Sequence, residues 1–173
     1  MGKTAFYSSA VLDPIGEVWV AVSDQGLAAI EFGGGWPEFE RSLHRQGFEQ
    51  LVADAERVGP ALAQIGEYLA SQRQDFDLPI DWSLYTPFQR QALQATIAVP
   101  YGQTVTYGEL AARLGRPRAA RAVGRAEATN PLPLVIPCHR VLGSDGKLHG
   151  YGAGAGLATK AWLLALEQGT PGR

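Results

Sequence analysis

The stretch TYGELAARLGRPRAARAVGRAEA, residues 106–128, decides how the rest of the chain is read. Thr106 can cap a helix through its side-chain oxygen. A short helix is therefore expected through Leu114. Gly115-Arg116-Pro117 stops it, since Gly tolerates positive φ and Pro cannot extend a preceding helix. A second helix is expected from Arg118 to about Ala128. Helix, Gly-containing turn and Arg-rich helix read as a helix-turn-helix. An ordinary helical hairpin has the same outline. Charge brings the two readings level: Arg113, Arg116, Arg118, Arg121 and Arg125 fall within thirteen residues.

Working outward, the same charge pattern divides the chain. The 173 residues carry a net charge of −2, but residues 1–85 hold five Lys/Arg against thirteen Asp/Glu, and residues 86–173 hold ten against four. An acidic half at −8 joined to a basic half at +6 suggests that the basic half meets a polyanion. The hydrophobic fraction of 46% excludes wholesale disorder. A single Cys excludes an internal disulfide, and one Cys with three His leaves little for a zinc site. Neither a metal nor a cofactor is expected. No apolar run approaches the ~20 residues of a membrane span. The segment from Met1 to Ser9 is no signal peptide, and Phe6 stands where a myristoylation site needs Ser or Thr. The expected compartment is the cytoplasm.

The N-terminal part reads as α/β. Phe6–Leu12, Val18–Ser23 and Leu27–Phe32 are strand-like and separated by the turns Asp13-Pro14-Ile15-Gly16 and Asp24-Gln25-Gly26, which predicts a small antiparallel sheet. Gly33-Gly34-Gly35 ends it and Trp36-Pro37-Glu38 opens a helix. Ala61, Leu62, Ile65 and Leu69 mark a second helix ending near Ala70. Asp75–Leu84 is a strand or connector. Thr86-Pro87-Phe88-Gln89 then caps a helix to about Ala98. The fold class expected is α+β. An acidic domain over residues 1–85 supports a mostly helical, winged-helix-like domain over residues 86–173.

Downstream of the helix-turn-helix, Asn130 to Val141 reads Asn-Pro-Leu-Pro-Leu-Val-Ile-Pro-Cys-His-Arg-Val. Three prolines forbid a helix and impose an extended strap. Asn130, the sole Asn, either forms an Asx turn or pins the strap through its amide. Cys138 is either a buried small hydrophobe or a nucleophile delivered by the rigid strap, at a helix start whose positive end would favour thiolate. His139 is a potential base. Adjacent side chains diverge, so a bridging water is the natural relay between them. Glu167, in an apolar helix with Trp162, Leu163, Leu164 and Leu166, is either an exposed acid near the chain end or the group that orients His139.

Ile136-Pro137-Cys138-His139-Arg140-Val141 resembles the active-site signature of the O6-alkylguanine-DNA alkyltransferases. The resemblance runs from about Thr86 to Glu167. It takes in Tyr101 to Ala111, Arg118 to Gly124 and Lys160 to Leu164 with Glu167, while the N-terminal half matches in character. It implies repair of DNA by transfer of an alkyl group from O6-alkylguanine, flipped out of the duplex, to Cys138, once per molecule. His139 would take the thiol proton through water, with Glu167 orienting it. Tyr107 would protonate the leaving guanine, and Asn130 would hold the strap. Arg121 would fill the gap in the base stack. Backbone carbonyls of Cys138 and Val141 would accept from the guanine amino group, and Pro133 and Tyr151 would line the alkyl side with the loop at Gly152. Ala119, Ala120 and Ala122 would permit close approach to the minor groove, with Arg118 and Arg125 beside them.

The partner implied is duplex DNA with little sequence preference and strong salt dependence, bound by a monomer whose acidic and basic halves would allow cooperative binding. Two departures stand out. The loop from Tyr151 to Lys160 is about two residues longer than the family's usual Tyr-x-Gly-Gly-x-x-x-Lys, and its small residues from Gly152 to Gly156 suggest a mobile lid. His149 is also unusual, and a solvated loop position is expected for it. The competing classes are a lesion-binding relative without transfer, against which Cys138 argues, a helix-turn-helix regulator, and a Cys hydrolase, for which no oxyanion-hole motif is present.

Overall fold

Alternating apolar residues near the N-terminus build a meander of β1 (Lys3–Leu12), β2 (Gly16–Ser23) and β3 (Gly26–Phe32), each antiparallel to the next. The computed structural model describes residues 2–169. After β3 come α1 (Gly35–Arg45), β4 (Phe48–Ala53) and α2 (Ala55–Leu69). β4 lies parallel to β1, so the sheet has the order β3-β2-β1-β4 and is mixed rather than wholly antiparallel. This edge strand carries no clear alternation because only Phe48 of its six residues is buried.

Phe39 and Leu43 of α1 pack on Ala5, Ala21 and Ala29, flanked by Tyr7, Trp19 and Trp36. Small residues on the strands leave room for the large rings, so volume is matched across the layer. α2 covers β1 and β2 with Val58, Ala61, Ile65, Tyr68 and Leu69, and Asp54 caps it by accepting from Arg57 N. Residues 70–81 form a connector that closes the β3 edge. Leu27 N donates to Pro79 O at 2.8 Å and Asp81 N donates to Leu27 O at 3.0 Å. Gly26, at φ +136°, lies against this connector so closely that a Cβ would stand 2.5 Å from Pro79 O.

The chain divides between Leu84 and Tyr85 into two compact units. The second opens with α3 (Pro87–Ile97), capped by Thr86 as expected. β5 (Val105–Thr106) leads into α4 (Tyr107–Arg113), whose Thr106/Glu109 capping box is complete. α5 (Ala120–Ala128) follows. Arg118 and Ala119 stand before it rather than on it, because Ala119 N donates to Arg116 O at 2.8 Å and closes a tight turn over Pro117. β6 (Val141–Leu142) pairs in parallel with β5, and α6 (Leu157–Glu167) ends the described part. Val99, Val105, Leu110, Ala111, Val123 and Val141 form the core beneath the two helices of the helix-turn-helix. Through the β5–β6 pair, the start of α4 is held beside the residues that follow Cys138. Among the described residues, no helix is long and apolar enough to cross a membrane.

Candidate active site

The strap from Asn130 to Pro137 is built as a buried rod. Asn130 fills both roles open to it. Its Oδ1 accepts from Leu132 N at 2.9 Å, an Asx turn, and its Nδ2 donates to Ile136 O at 3.0 Å across the strap. Ile136 N donates to Leu132 O at 2.9 Å, closing a loop in which Leu134 adopts φ +75°. A non-glycine residue in that region is strained, and the burial of Leu132, Leu134 and Ile136 holds it there. Pro133 is buried within the same rod.

Cys138 begins a one-turn 3-10 helix, Cys138–Arg140, and is 9% exposed. Burial pushes its thiol up to about 12, and the Glu127 carboxyl pushes in the same direction. A hydrogen bond with the Asn130 side chain and the charge of Lys160 pull it down. The thiolate expected from a helix start is therefore not formed in advance. Three residues give too few aligned peptide dipoles to outweigh desolvation.

His139, fully buried, faces Glu167 with Nε2 at 2.7 Å from Oε1. Burial lowers the imidazole, chiefly against the hydrogen bond and charge of Glu167, which raise it. A neutral imidazole is the form that can take a proton. Glu167 is 6% exposed and its carboxylate is saturated. Arg140 donates to it from Nε at 2.9 Å and from Nη2 at 2.9 Å, and Gly102 N donates at 3.1 Å. Arg140 Nη1 reaches Val99 O at 2.6 Å. The pairing of His139 with Glu167 thus carries a cation as well, Arg140, which the charge count had placed only within the basic half.

Lys160 is the other buried cation, donating from Nζ to Val141 O at 2.7 Å and to His149 O at 2.8 Å. Burial lowers its ammonium, while Cys138 and Glu127 support its charge. The Val141 carbonyl is thus already engaged on one lone pair. The Tyr107 hydroxyl donates to His149 O at 3.1 Å, and burial, Glu127 and Cys138 raise its phenol. His149 contributes its carbonyl here, while its imidazole is exposed beside Asp145, in keeping with a solvated position. Tyr151 is half-buried, and desolvation and then Cys138 hold its phenol well above the ordinary value. Gly152 is exposed.

Asn130 and Tyr107 interact with the Cys138 thiol, and His139, paired with Glu167, and Val141 lie within three residues of it along the chain. A second group lies on the surface. Arg118, Arg121, Ala122 and Arg125 are exposed, and Ala119 and Ala120 are half-buried. Three residues of the thiol's surroundings escaped sequence reasoning: Arg140, Lys160 and Glu127. For Lys160 a signal existed, since it shares the buried face of α6 with Leu163 and Glu167, two charges on an apolar stripe.

Residues 87–169 match the family model described as "6-O-methylguanine DNA methyltransferase, DNA binding domain", and residues 6–82 match its "ribonuclease-like domain". The chain is 40% identical over 162 residues to the methylated-DNA–protein-cysteine methyltransferase of Salmonella typhimurium, covering 91% of this chain and 92% of that one. The Bacillus subtilis constitutive enzyme of that name is 34% identical, covering 94% and 95%. The Mycobacterium tuberculosis OGT crystallised in complex with DNA superposes with a TM-score of 0.80 at 34% identity, covering 96% and 94%. The O6-methylguanine-DNA methyltransferase of Pyrococcus kodakaraensis gives 0.66 at 26%, covering 94% and 98%. With both halves matched and similarity running nearly end to end, the chain belongs to the 6-O-methylguanine DNA methyltransferase family.

Proposed function

We propose that this chain repairs DNA by transferring the alkyl group of O6-alkylguanine irreversibly to Cys138. The observation that carries the reading is the buried Cys138 thiol at the end of a rigid strap, next in sequence to an imidazole fixed on Glu167. A thiol near 12 does not attack by itself at neutral pH. Its proton passes through water to His139 on Nδ1, the ring nitrogen turned away from Glu167, as sulfur closes on the alkyl carbon. The S–C bond forms while the C–O6 bond breaks, and the Tyr107 hydroxyl protonates the leaving guanine. Because burial keeps the phenol protonated, the proton is present when needed. The thioether is stable to water, so each molecule acts once.

The lesion reaches the thiol only outside the duplex. Exposed Arg121 occupies the gap left in the stack, with small Ala119, Ala120 and Ala122 admitting the minor groove and Arg118 and Arg125 meeting phosphates. The Cys138 carbonyl and the second lone pair of Val141 O accept from the guanine amino group. Pro133, Tyr151 and the loop at Gly152 bound the alkyl side. The N-terminal unit serves as support, and the protein acts in the cytoplasm.

The test is to incubate the protein with duplex DNA carrying one O6-methylguanine and to weigh the peptide containing Cys138. One methyl replaces one hydrogen, stoichiometrically, and Cys138→Ala shows no transfer. Repaired DNA beside unmodified Cys138 would refute the single-use mechanism, and tight lesion binding without mass change would point to a sensor instead.

A further inference from the structure

Glu127 lies on the inner face of α5 with Val123 and Ala126 and is 6% exposed. Its surroundings bear on its protonation. Thr96 Oγ1 stands 3.0 Å from Ala92 O and 2.5 Å from Glu127 Oε1. A hydroxyl carries one proton and cannot donate to both. Where Thr96 donates to Ala92 O, the short contact takes its proton from the Glu127 carboxyl. Among the described residues, the remaining oxygen, Oε2, is buried without a hydrogen-bond partner. As the carbonyl oxygen of an acid it costs little, whereas as half of a carboxylate it would be an unpaired buried charge.

The groups facing Glu127 come from every neighbouring element. They are Thr96 from α3, Tyr107 from α4, Cys138 from the strap's end and Lys160 from α6. The one cation among these four, Lys160, is already held by two carbonyls. Burial accordingly raises the carboxyl to about 7, although the Thr96 bond and Lys160 both lower it.

We propose that Glu127 is a positioning residue of the transfer centre: kept as a neutral acid by its buried setting and unpaired oxygen, it leaves Cys138 free to ionise, and once ionised it suppresses attack. The proposal rests on the transferase reading above. Glu127 neither gives nor takes a proton during transfer; the thiol proton goes to His139 and the guanine proton comes from Tyr107. Its part is Coulombic. The same negative charge raises the Cys138 thiol and the Tyr107 phenol, so one ionisation weakens both the nucleophile and the acid.

Cys138 is the chain's only Cys, so thiolate absorbance and capture by iodoacetamide report on it alone. Both are measured across the pH range on either side of about 7, with single-turnover methyl transfer from an O6-methylguanine duplex, in wild type, Glu127→Gln and Glu127→Met. Above that pH both variants capture iodoacetamide about tenfold faster than wild type, and below it the three converge. Transfer by wild type falls behind both variants over the same interval. Parallel pH profiles for wild type and either folded variant, checked by thermal melting, would overturn the proposal. Diverging capture profiles with no methyl transfer by any of the three would instead overturn the transferase reading and leave the effect of Glu127 on the thiol standing.

Discussion

Glu167 and Glu127 are both 6% exposed, both on helices of the second unit, and both within reach of the reactive cluster, yet their partners differ completely. Glu167 accepts from the Arg140 guanidinium, the Gly102 amide and the His139 ring. Glu127 meets one hydroxyl and leaves an oxygen unpaired. Equal burial therefore leaves one carboxyl with a full set of donors and the other raised to about 7 by desolvation. Donor number decides the charge. On the proposed mechanism this is a division of labour: Glu167 orients the base, and Glu127, whose charge raises the thiol, opposes the nucleophile only as it ionises above about 7.

Removing the cation from the first of these carboxylates should have the largest effect. Arg140→Met strips Glu167 of its guanidinium and leaves a buried charge, costing about 3–5 kcal/mol in denaturant unfolding. Adding Glu167→Gln should restore part of that loss, since the orphaned charge disappears with it. A single Arg140→Met variant as stable as wild type would erase the contrast between the two glutamates.

Glu127 gives the next effect, through proton linkage. Its folded value of about 7 lies above its ordinary 4.5, so between those pH values the folded state binds more protons than the unfolded state. Stability contributed by the neutral acid is present below 4.5 and is lost as pH rises through about 7. The difference amounts to about 3 kcal/mol at most. Relative to wild type, Glu127→Gln should become progressively more stable over that interval and then run level. A pH-independent difference in urea midpoints would show that Glu127 is ionised throughout, like Glu167.

Asn130→Ala removes two hydrogen bonds from the strap, worth about 2 kcal/mol together. It also removes the side-chain bond that lowers the Cys138 thiol. Slower capture of the thiol is therefore expected beyond what the loss of stability explains, read by iodoacetamide under conditions where the variant is fully folded.

What could be read beforehand follows the same physics. The Thr106 and Thr86 caps and the proline strap are local, so residue order alone carries them, while the reciprocal Glu109 bond is seen only in the structure. His139 with Glu167 was within reach because an acid in an apolar helix calls for a partner. β4 was not, because an edge strand with one buried residue has no alternation to show. Neither was the start of α5, where a turn over Pro117 displaces Arg118 and Ala119 from the helix. Arg140 and Glu127 were invisible for a shared reason. A charge in a basic or helical stretch reads as surface, and only the packing of α3, α5 and α6 turns these two inward.

Arg121 is the opposite case to Arg140 and should give the smallest change in stability. Exposed on α5, it should shift unfolding by less than about 0.5 kcal/mol when changed to Ala. Its effect should appear in the reaction instead. A side chain that fills the space of a flipped base matters only when there is a stack to fill, so transfer from O6-methylguanine in a duplex should slow by about tenfold or more, while transfer from the free O6-alkylguanine base should be unchanged. Equal losses on both substrates would place Arg121 with Arg140 as part of the reaction centre. The small stability change and the duplex-only loss together would separate the buried charges around the thiol from the exposed ones proposed to meet DNA.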